Sequence, residues 1–257
     1  MTAPRPRRHR WRTAVGGILL VVLAAMVSSC GGGDPPAPSP TQGVVQDRAI
    51  PDIPLISSTG APASLADYRG KDIVMAPFLT LCQDECPLVT GAFIALQRDV
   101  RAAGLSHKVV FMEITVDPGR DTPARLTAYS KEFGADWVML TGTPANLAAL
   151  WKFFGVFVQI VPEEQPPKLD WWTGTPLTYD VDHTDGYFLL SSSGDERFSD
   201  SNPPDLDGHL DKKLTGLLNT GGLKNLDDQS SPNWTLAQAL SSLSWLVGRT
   251  IPSVAST

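Results

Sequence analysis

Two cysteines, Cys82 and Cys86, lie four positions apart in the stretch TLCQDECPLVT. In a helical turn, side chains four residues apart point the same way, with their Cβ atoms about 6 Å apart. The two sulfurs can therefore converge on one metal ion or, after adjustment, form a disulfide. Thiolates are soft ligands that select Cu(I), and an added imidazole makes a three-donor site that also accepts Cu(II). Spacing alone leaves a metal site, a redox pair and a simple disulfide open.

A metal site would need a third ligand, and His183 is the candidate. It stands in DVDHTDGYFLL, just before an apolar segment typical of a strand. Asp182 and Asp185 flank it, and either carboxylate can accept a hydrogen bond from the ring and so fix its tautomer. We expect Asp182 to fill this role. The other three histidines lie in a basic N-terminal segment, a polar turn and a predicted helix start. The sequence around His183 is also consistent with a surface histidine that binds no metal.

The elements around the cysteines predict a strand-to-helix turn. Residues 73–80 form a continuous apolar run typical of a buried strand, and apolar residues recur at helical spacing after Pro87, which suits a first helical turn. Further strands are predicted in KVVFMEITV and WVMLTG, each followed by a helix that begins with Thr-Pro and ends at Gly. Alternating strands and helices predict an α/β domain with a central mixed, largely parallel sheet flanked by helices.

Five features complete this prediction. A strand or hairpin precedes the first buried strand, and YFLLS with DERFS predicts a terminal hairpin. A helix is expected over roughly residues 206–218, and PNWTLAQALSSLSWLVG predicts an amphipathic helix in a C-terminal extension. Residues 162–179 read as a long irregular insertion.

The N-terminal residues predict export. A basic start, an apolar run of fourteen residues and a small-residue end at Cys30 are the parts of a secretion signal, and the run is too short for an ordinary spanning helix. Val27-Ser28-Ser29-Cys30 resembles the lipobox of bacterial lipoproteins, so we expect a signal peptide over residues 1–29 and lipid on Cys30. The Gly- and Pro-rich residues 30–43 then form a tether.

Charge excludes one class of partner. Residues 1–29 hold five arginines and no acidic residue, so their removal changes the formal net charge from -6 to -11. Such an acidic chain is a poor partner for nucleic acid or for an anionic membrane surface. Attachment to the membrane is therefore expected through the lipid on Cys30.

Three blocks of the sequence resemble the Sco/SenC family, in the same order: FLTLCQDECPLVTGAF, TVDPGRDTPARLTAYSKEFGADWVMLTG and YDVDHTDGYFLLSSSG. That family consists of copper-binding proteins of thioredoxin-like fold that assist assembly of the dinuclear copper centre of cytochrome c oxidase. The resemblance covers roughly residues 50–218. It implies Cys82 and Cys86 as thiolate ligands and His183 as the third ligand of Cu(I) or Cu(II). Asp117 and Asp121 match the family's acidic block, where we expect structural or partner-facing roles.

The resemblance also implies a fold, a function and a location. We expect a thioredoxin-like domain over residues 44–220, with an N-terminal hairpin, followed by a C-terminal helical extension over residues 221–257. The implied function is that of a monomeric metallochaperone, lipid-anchored on the extracytoplasmic side of the cell membrane, which delivers copper to the copper-accepting subunit of cytochrome c oxidase. The alternative is a thiol-disulfide oxidoreductase that uses Cys82 and Cys86 to reduce the cysteines of that acceptor.

The sequence departs from the family pattern at three places, one of which is the stretch from Pro162 to Tyr179, which is longer than the family leads us to expect. The family often has an aromatic residue and a histidine just before the first cysteine, where this chain has Leu79 and Leu81. It also has SSSG after the last block, where the family usually has Asp-Pro. These departures leave the three ligand positions intact and bear on the identity of the partner.

Overall fold

In the computed structural model of this protein, the structure describes residues 1–2, 34–227 and 233–254. The predicted lipid-attachment residue Cys30 and almost all of the predicted signal peptide lie outside these residues. Residues Asp34–Thr257 form one compact unit. Among the described residues, no helix combines the length and apolar character that a membrane span requires.

A central sheet of eight strands carries the fold. Its strands, with two further short pairs of strands, are β1 (Val44–Ala49), β2 (Leu55–Ser57), β3 (Pro62–Ala63), β4 (Asp72–Phe78), β5 (Val109–Thr115), β6 (Val138–Thr141), β7 (Val158–Pro162), β8 (Tyr179–His183), β9 (Tyr187–Leu190), β10 (Asp195–Asp200), β11 (Pro204–Asp205) and β12 (Trp234–Thr235). The strand order is β1-β10-β9-β4-β5-β6-β2-β3, in which β4, β5 and β6 are parallel and the outer pairings are antiparallel. The predicted mixed sheet, with its N-terminal β2–β3 hairpin and its β9–β10 hairpin, is confirmed.

Six α-helices and one short 3-10 helix are described. They are α1 (Cys86–Ala102), α2 (Pro123–Phe133), α3 (Pro144–Phe154), α4 (Lys212–Thr215), α5 (Thr220–Asp227), α6 (Leu236–Val247) and the 3-10 helix Leu65–Tyr68. The caps of α2 and α3 follow the predicted pattern, because a threonine hydroxyl accepts a backbone N–H at each start. Gly134 and Gly155, both with a φ of 72°, end these two helices in the left-handed conformation.

The two faces of the sheet bury separate apolar cores. Successive residues of a strand point to opposite faces, so Met75 of β4 packs into one core while Val74 packs into the other. The core that contains Cys86 is closed by α2 and α3, through residues such as Tyr129 and Trp151. The opposite core is closed by α1 and α6. Both faces of the sheet are therefore covered, and the end of β4 and the start of α1 lie at one edge of it.

The structure differs from the prediction in two places. The helix expected over residues 206–218 is only the single turn α4, because Asp207 (φ 53°) and Gly208 (φ 70°) adopt left-handed conformations that interrupt a helix. The irregular segment predicted over residues 162–179 connects two strands that were not predicted, β7 and β8, which pair antiparallel from Val158 opposite His183 to Pro162 opposite Tyr179. We call this two-stranded sheet the ribbon. Residues 163–178 between its strands remain irregular.

The C-terminal extension is helical in its described part, as predicted. The boundary predicted after residue 220 falls at the first residue of α5. Trp234 is buried in the second core, where it stacks edge-on against Tyr187 at 4.8 Å. The extension therefore packs on the domain it follows.

Candidate metal centre

The two cysteines stand at the carboxyl end of the central strand β4. Cys86 is the first residue of α1 and is 1% exposed, whereas Cys82 is partly exposed in the turn before the helix. The backbone N–H of Cys86 points at the sulfur of Cys82, at 3.4 Å. Such orphan N–H groups at a helix start favour negative charge, so they help to hold Cys82 as a thiolate.

His183 reaches the cysteines from a different part of the fold. It is the last residue of β8, and its side chain is 4% exposed. Its Nε2 lies 3.3 Å from the sulfur of Cys86. The ligand atoms of Cys82, Cys86 and His183 all lie within 4.8 Å of one another, and this is the one such group of three found among the described residues. The structure thus brings together the three residues that the sequence analysis predicted.

The two thiols are chemically different. Both are free in the structure. The pKa of Cys82 lies well below its usual range because the Cys86 thiol and the His183 ring hydrogen-bond to its sulfur, although burial opposes this. Burial and the neighbouring Cys82 raise the pKa of Cys86 well above its usual range. One sulfur is therefore poised as a thiolate, and the other keeps its proton until a metal or an electrophile replaces it.

Both nitrogens of the His183 ring have partners. Nδ1 lies 3.0 Å from the carbonyl oxygen of Thr184 and 3.9 Å from a carboxylate oxygen of Asp185. Burial lowers the pKa of His183, but hydrogen bonding to Cys82 and the charges of Asp185 and Cys82 outweigh it and raise that pKa to about 9. With Nδ1 committed to the carbonyl group, Nε2 is the nitrogen that faces the sulfurs.

The position of Asp182 differs from the sequence-based expectation. Asp182 is exposed, and the contact to Nδ1 that was expected from it comes instead from Thr184, with Asp185 nearby. The reason is the alternation of side chains along a strand, because adjacent residues on β8 point to opposite faces. The next residues turn back toward the ring at the end of the strand. The flanking carboxylate on the C-terminal side is therefore the one that lies near the imidazole.

An acidic cleft of about 190 Å³ opens onto the site. It is lined by Cys82, Asp84, Glu85, Asp180, Val181, Asp182, His183 and Asp185. Burial, together with the charges of Asp185 and Asp84, raises the pKa of Glu85 to about 8. Burial also raises the pKa of Asp185 to about 7, although His183 opposes this. The mouth of the site thus carries several carboxyl groups, of which Glu85 and Asp185 exchange protons near neutral pH.

Buried aspartates hold the strand ends beneath the site. Asp121 accepts hydrogen bonds from the backbone N–H and hydroxyl of Thr80 and from the hydroxyl of Thr115, so it ties the end of β4 to that of β5. Asp117 pairs with Arg120 and accepts a hydrogen bond from the hydroxyl of Tyr179 at 3.0 Å. These contacts account for the two aspartates as structural residues, one of the two roles predicted for them.

Three residues whose contacts stabilise the site could not be recognised from any pattern in the sequence. The Arg120 guanidinium stacks on the Tyr179 ring at 3.8 Å and donates to its carbonyl oxygen at 2.7 Å, which fixes the start of β8. Trp171 of the insertion donates its indole N–H to the carbonyl oxygen of Thr80, just before the cysteine turn. Asn225 of α5 contacts the acidic residues between the cysteines. All three are long-range contacts that no local pattern indicates.

The donor set suits a soft or borderline metal ion. Two sulfurs and one imidazole nitrogen would hold such an ion, and no fourth histidine, cysteine or carboxylate joins the group among the described residues. Bonds of about 2.0–2.3 Å, as Zn–N and Zn–S bonds have, would need only small side-chain shifts from the present separations. The same two thiols can also form a disulfide, which would remove both sulfurs as ligands.

Comparison with known families matches the same part of the chain. The family model described as SCO1/SenC matches residues 45–207. This range contains Cys82, Cys86 and His183. It ends before α5, so the whole C-terminal extension lies outside the match.

Individual relatives are moderately similar. A protein of Stutzerimonas stutzeri, named as a candidate copper-binding protein, is 29% identical over 173 residues, which is 67% of this chain and 78% of the relative. The mitochondrial SCO2 homolog of Bos taurus is 28% identical over 143 residues, which is 56% of this chain. The chain spans 50% of the length of that mitochondrial relative.

Solved structures share the fold. The crystal structure of Arabidopsis thaliana ScoI with copper bound superposes with a TM-score of 0.51 at 24% identity, covering 65% of this chain and 94% of that one. Sco structural neighbours of this kind are thioredoxin-like, as the resemblance predicted. At this identity the likeness establishes the fold alone.

Proposed function

Because the chain belongs to the SCO1/SenC family, we propose that it is a copper-binding metallochaperone that serves the assembly of cytochrome c oxidase. One observation carries the proposal: the ligand atoms of Cys82, Cys86 and His183 lie within 4.8 Å of one another inside the matched segment. The names of the relatives support copper as the cargo, since one is named for copper binding and another was solved with copper bound.

The chemistry of the three donors fits this cargo in both oxidation states. Two thiolates satisfy Cu(I), and the imidazole supplies the borderline donor that Cu(II) needs. Cys86 and His183 are almost fully buried, whereas Cys82 faces the cleft. An acceptor thiolate that enters the cleft can replace Cys82 first, so copper passes by stepwise ligand exchange without turnover of a substrate.

The proposed acceptor is the copper-accepting subunit of cytochrome c oxidase. Anchoring through a lipid on Cys30 would keep the monomeric donor on the extracytoplasmic side of the cell membrane, close to this membrane-bound partner. The Gly- and Pro-rich tether of residues 30–43 would give the domain a reach of at most about 40 Å at 3.1 Å per residue. The acidic surface supports attachment by lipid over attachment by a basic patch.

A second candidate function is thiol-disulfide exchange. The specific observation in its favour is the low pKa of Cys82, since a thiolate is the attacking species in exchange. In this function the pair would reduce the acceptor's cysteines and end as a Cys82–Cys86 disulfide. His183 would then act on the thiolate and not on a metal.

Copper titration of the purified protein in its reduced and oxidised forms tests the proposed function. Reduced protein should bind one equivalent of copper, and oxidised protein should bind far more weakly, because a disulfide and thiolate ligation exclude each other. Protein treated with a thiol-blocking reagent is the control and should behave as the oxidised form does. Equal affinity of the reduced and oxidised forms would show that the cysteines are not ligands.

A further inference from the structure

Helix α5 of the C-terminal extension lies against the three residues between the two cysteines. The amide nitrogen of the Asn225 side chain lies 2.6 Å from a carboxyl oxygen of Asp84 and 2.6 Å from one of Glu85. The backbone N–H of Asn219, just before α5, donates to the carbonyl oxygen of Gln83 at 2.7 Å. Each residue of the inter-cysteine loop therefore has a partner at α5, although α5 lies beyond the family match.

The packing at this contact leaves no room for side chains. A Cβ atom on Gly222 would lie 2.6 Å from the carbonyl oxygen of Gln83 and 3.0 Å from the Cα of Asp84. The backbone of α5 thus rests directly on the loop. The Asp84 carboxylate lies beside the first turn of α5, where the helix dipole favours a negative charge.

The helix that makes these contacts is itself anchored. Leu218 and Leu226, on either side of the contact, are buried in the core closed by α1 and α6. Lys168 of the insertion donates to the carbonyl oxygen of Leu218 at 2.5 Å. Asn219 caps the helix by accepting a hydrogen bond from the N–H of Gly222 at 2.7 Å. A displacement of the loop must therefore work against a helix that is fixed to the core.

Disulfide formation requires such a displacement. A disulfide joins its two sulfurs at about 2.05 Å, whereas Cys82 and Cys86 are free thiols at the two ends of a bend that precedes α1. The turn from Cys82 to Cys86 must tighten, and Gln83, Asp84 and Glu85 must move with it. Their hydrogen bonds to Asn219 and Asn225 hold them where they are.

We propose that Asn225 on α5 is a positioning residue that holds the Cys82–Cys86 turn in its dithiol conformation and so opposes disulfide formation. The inference builds on the proposed function, because the dithiol is the form that binds copper. The extension thereby keeps the pair available to the metal in an oxidising compartment, where exposed thiol pairs readily become disulfides.

The reaction that this contact opposes has two steps when oxidised glutathione is the oxidant. The Cys82 thiolate attacks one sulfur of glutathione disulfide, and a glutathione thiolate leaves. The Cys86 thiolate then attacks the Cys82 sulfur of the mixed disulfide, and the second glutathione thiolate leaves. Two electrons pass to glutathione, and the two thiol protons end on the glutathione thiolates. The second step is the one that needs the turn to tighten.

The test is a redox titration of the metal-free protein in glutathione buffers. Asn225→Ala removes the amide donor, and Asn225→Asp replaces it with a carboxylate of the same size beside Asp84 and Glu85. We expect both variants to favour the disulfide, by about tenfold in the equilibrium constant or about 30 mV, with the larger effect in Asn225→Asp. The second step of oxidation should also be faster. Lys224→Ala, an exposed neighbour on the same helix, is the matched control and should resemble the unaltered protein.

A third variant and a parallel measurement keep the test decisive. Gly222→Ala places a methyl group against the loop and should shift the equilibrium in the same direction. Wild-type equilibria and rates in all three variants, or a shift away from the disulfide, would overturn the proposal, as would a lowered melting temperature without a redox shift. Copper titration of the unaltered protein separates the proposed function from the proposed role of Asn225. If the unaltered protein does not bind copper, the proposed function fails, whereas the redox shift of the variants alone decides the role of Asn225.

Discussion

Cys82 and Cys86 stand where a central strand of the eight-stranded sheet meets a long helix, whereas His183 stands at the end of a two-stranded ribbon beside that sheet. In the cysteine half of the site, the sheet is covered by helices on both faces, and α5 packs on the loop between the two cysteines. The ribbon is open on its outer strand, where Ile160 is 68% exposed. The histidine is buried at its tip all the same.

The two halves are therefore held with different local stability. Few buried apolar contacts and an exposed strand are the marks of a segment that opens at low free-energy cost. The cysteine half should keep its geometry while the ribbon moves, so His183 should be the donor that joins and leaves the metal more easily. The comparison predicts that the cysteines dominate the affinity and that the histidine sets the preference for oxidation state and the response to pH.

Loss of a cysteine should have the largest effect. Cys86→Ser should lower the affinity for both Cu(I) and Cu(II) by more than the roughly 100-fold that loss of an outer partner of a ligand can cost, because a buried sulfur donor disappears. Competitive titration with a chelator measures this, and the thermal melt of the metal-free variant controls for folding. Wild-type affinity for either ion would contradict the expectation that the cysteines dominate the affinity.

Loss of the histidine should act selectively. His183→Ala should weaken Cu(II) binding strongly and change its thiolate-to-copper absorption, whereas Cu(I) should suffer less because two thiolates satisfy it. The measurement pairs Cu(I) and Cu(II) titrations on one preparation. Unchanged Cu(II) spectra with altered thiol exchange would instead favour the oxidoreductase function for this histidine.

The histidine should also give copper binding a pH dependence. With a pKa of about 9, the His183 ring is protonated at neutral pH and must lose that proton to bind metal. Each pH unit below about 9 should therefore weaken binding about tenfold through this one proton. In His183→Ala the plot of log Kd against pH should be less steep by one log unit per pH unit. An identical slope in the variant would contradict the assignment of His183 as a ligand.

The same pKa has a consequence for the stability of the metal-free fold. Because the pKa of His183 is raised above its usual value of 6.5, protonation of the ring stabilises the folded state. This contribution is fully present below about pH 6.5 and is lost as the pH rises through about 9. Chemical denaturation of the reduced, metal-free protein across this range, with His183→Ala as the matched control, isolates it.

The smallest effects should come from the carboxylates that flank the histidine. Asp185→Asn should lower Cu(II) affinity by about 10-fold to 100-fold, since its carboxylate lies 3.9 Å from Nδ1 and supports the ring. Asp182→Asn should cost less, because that side chain is exposed. The two isosteric variants control for each other. A larger loss in Asp182→Asn would restore the role that the sequence analysis assigned to it.

Much of the fold could be read from local patterns. Thr122-Pro123 and Gly134 bound α2 because capping and left-handed termination depend on the residues themselves. The parallel strands β4, β5 and β6 follow from apolar runs that alternate with helices. The expected helix over residues 206–218 was wrong because Asp207 adopts a positive φ that its residue type permits without requiring. The ribbon escaped prediction because β7 is a short and mostly exposed run whose strand conformation depends on pairing with β8.

The sequence by itself determined the donor types and the spacing of Cys82 and Cys86, because both are properties of one local run of residues. Only the tertiary structure decided the rest of the centre. It brings His183 to 3.3 Å from Cys86 across 97 positions, selects Asp185 over Asp182 as the carboxylate near the ring, and sets Asn225 against Asp84 across 141 positions. The physical reason is that such contacts depend on how strands, ribbon and helix pack, which is a property of the whole core and not of any local run of residues.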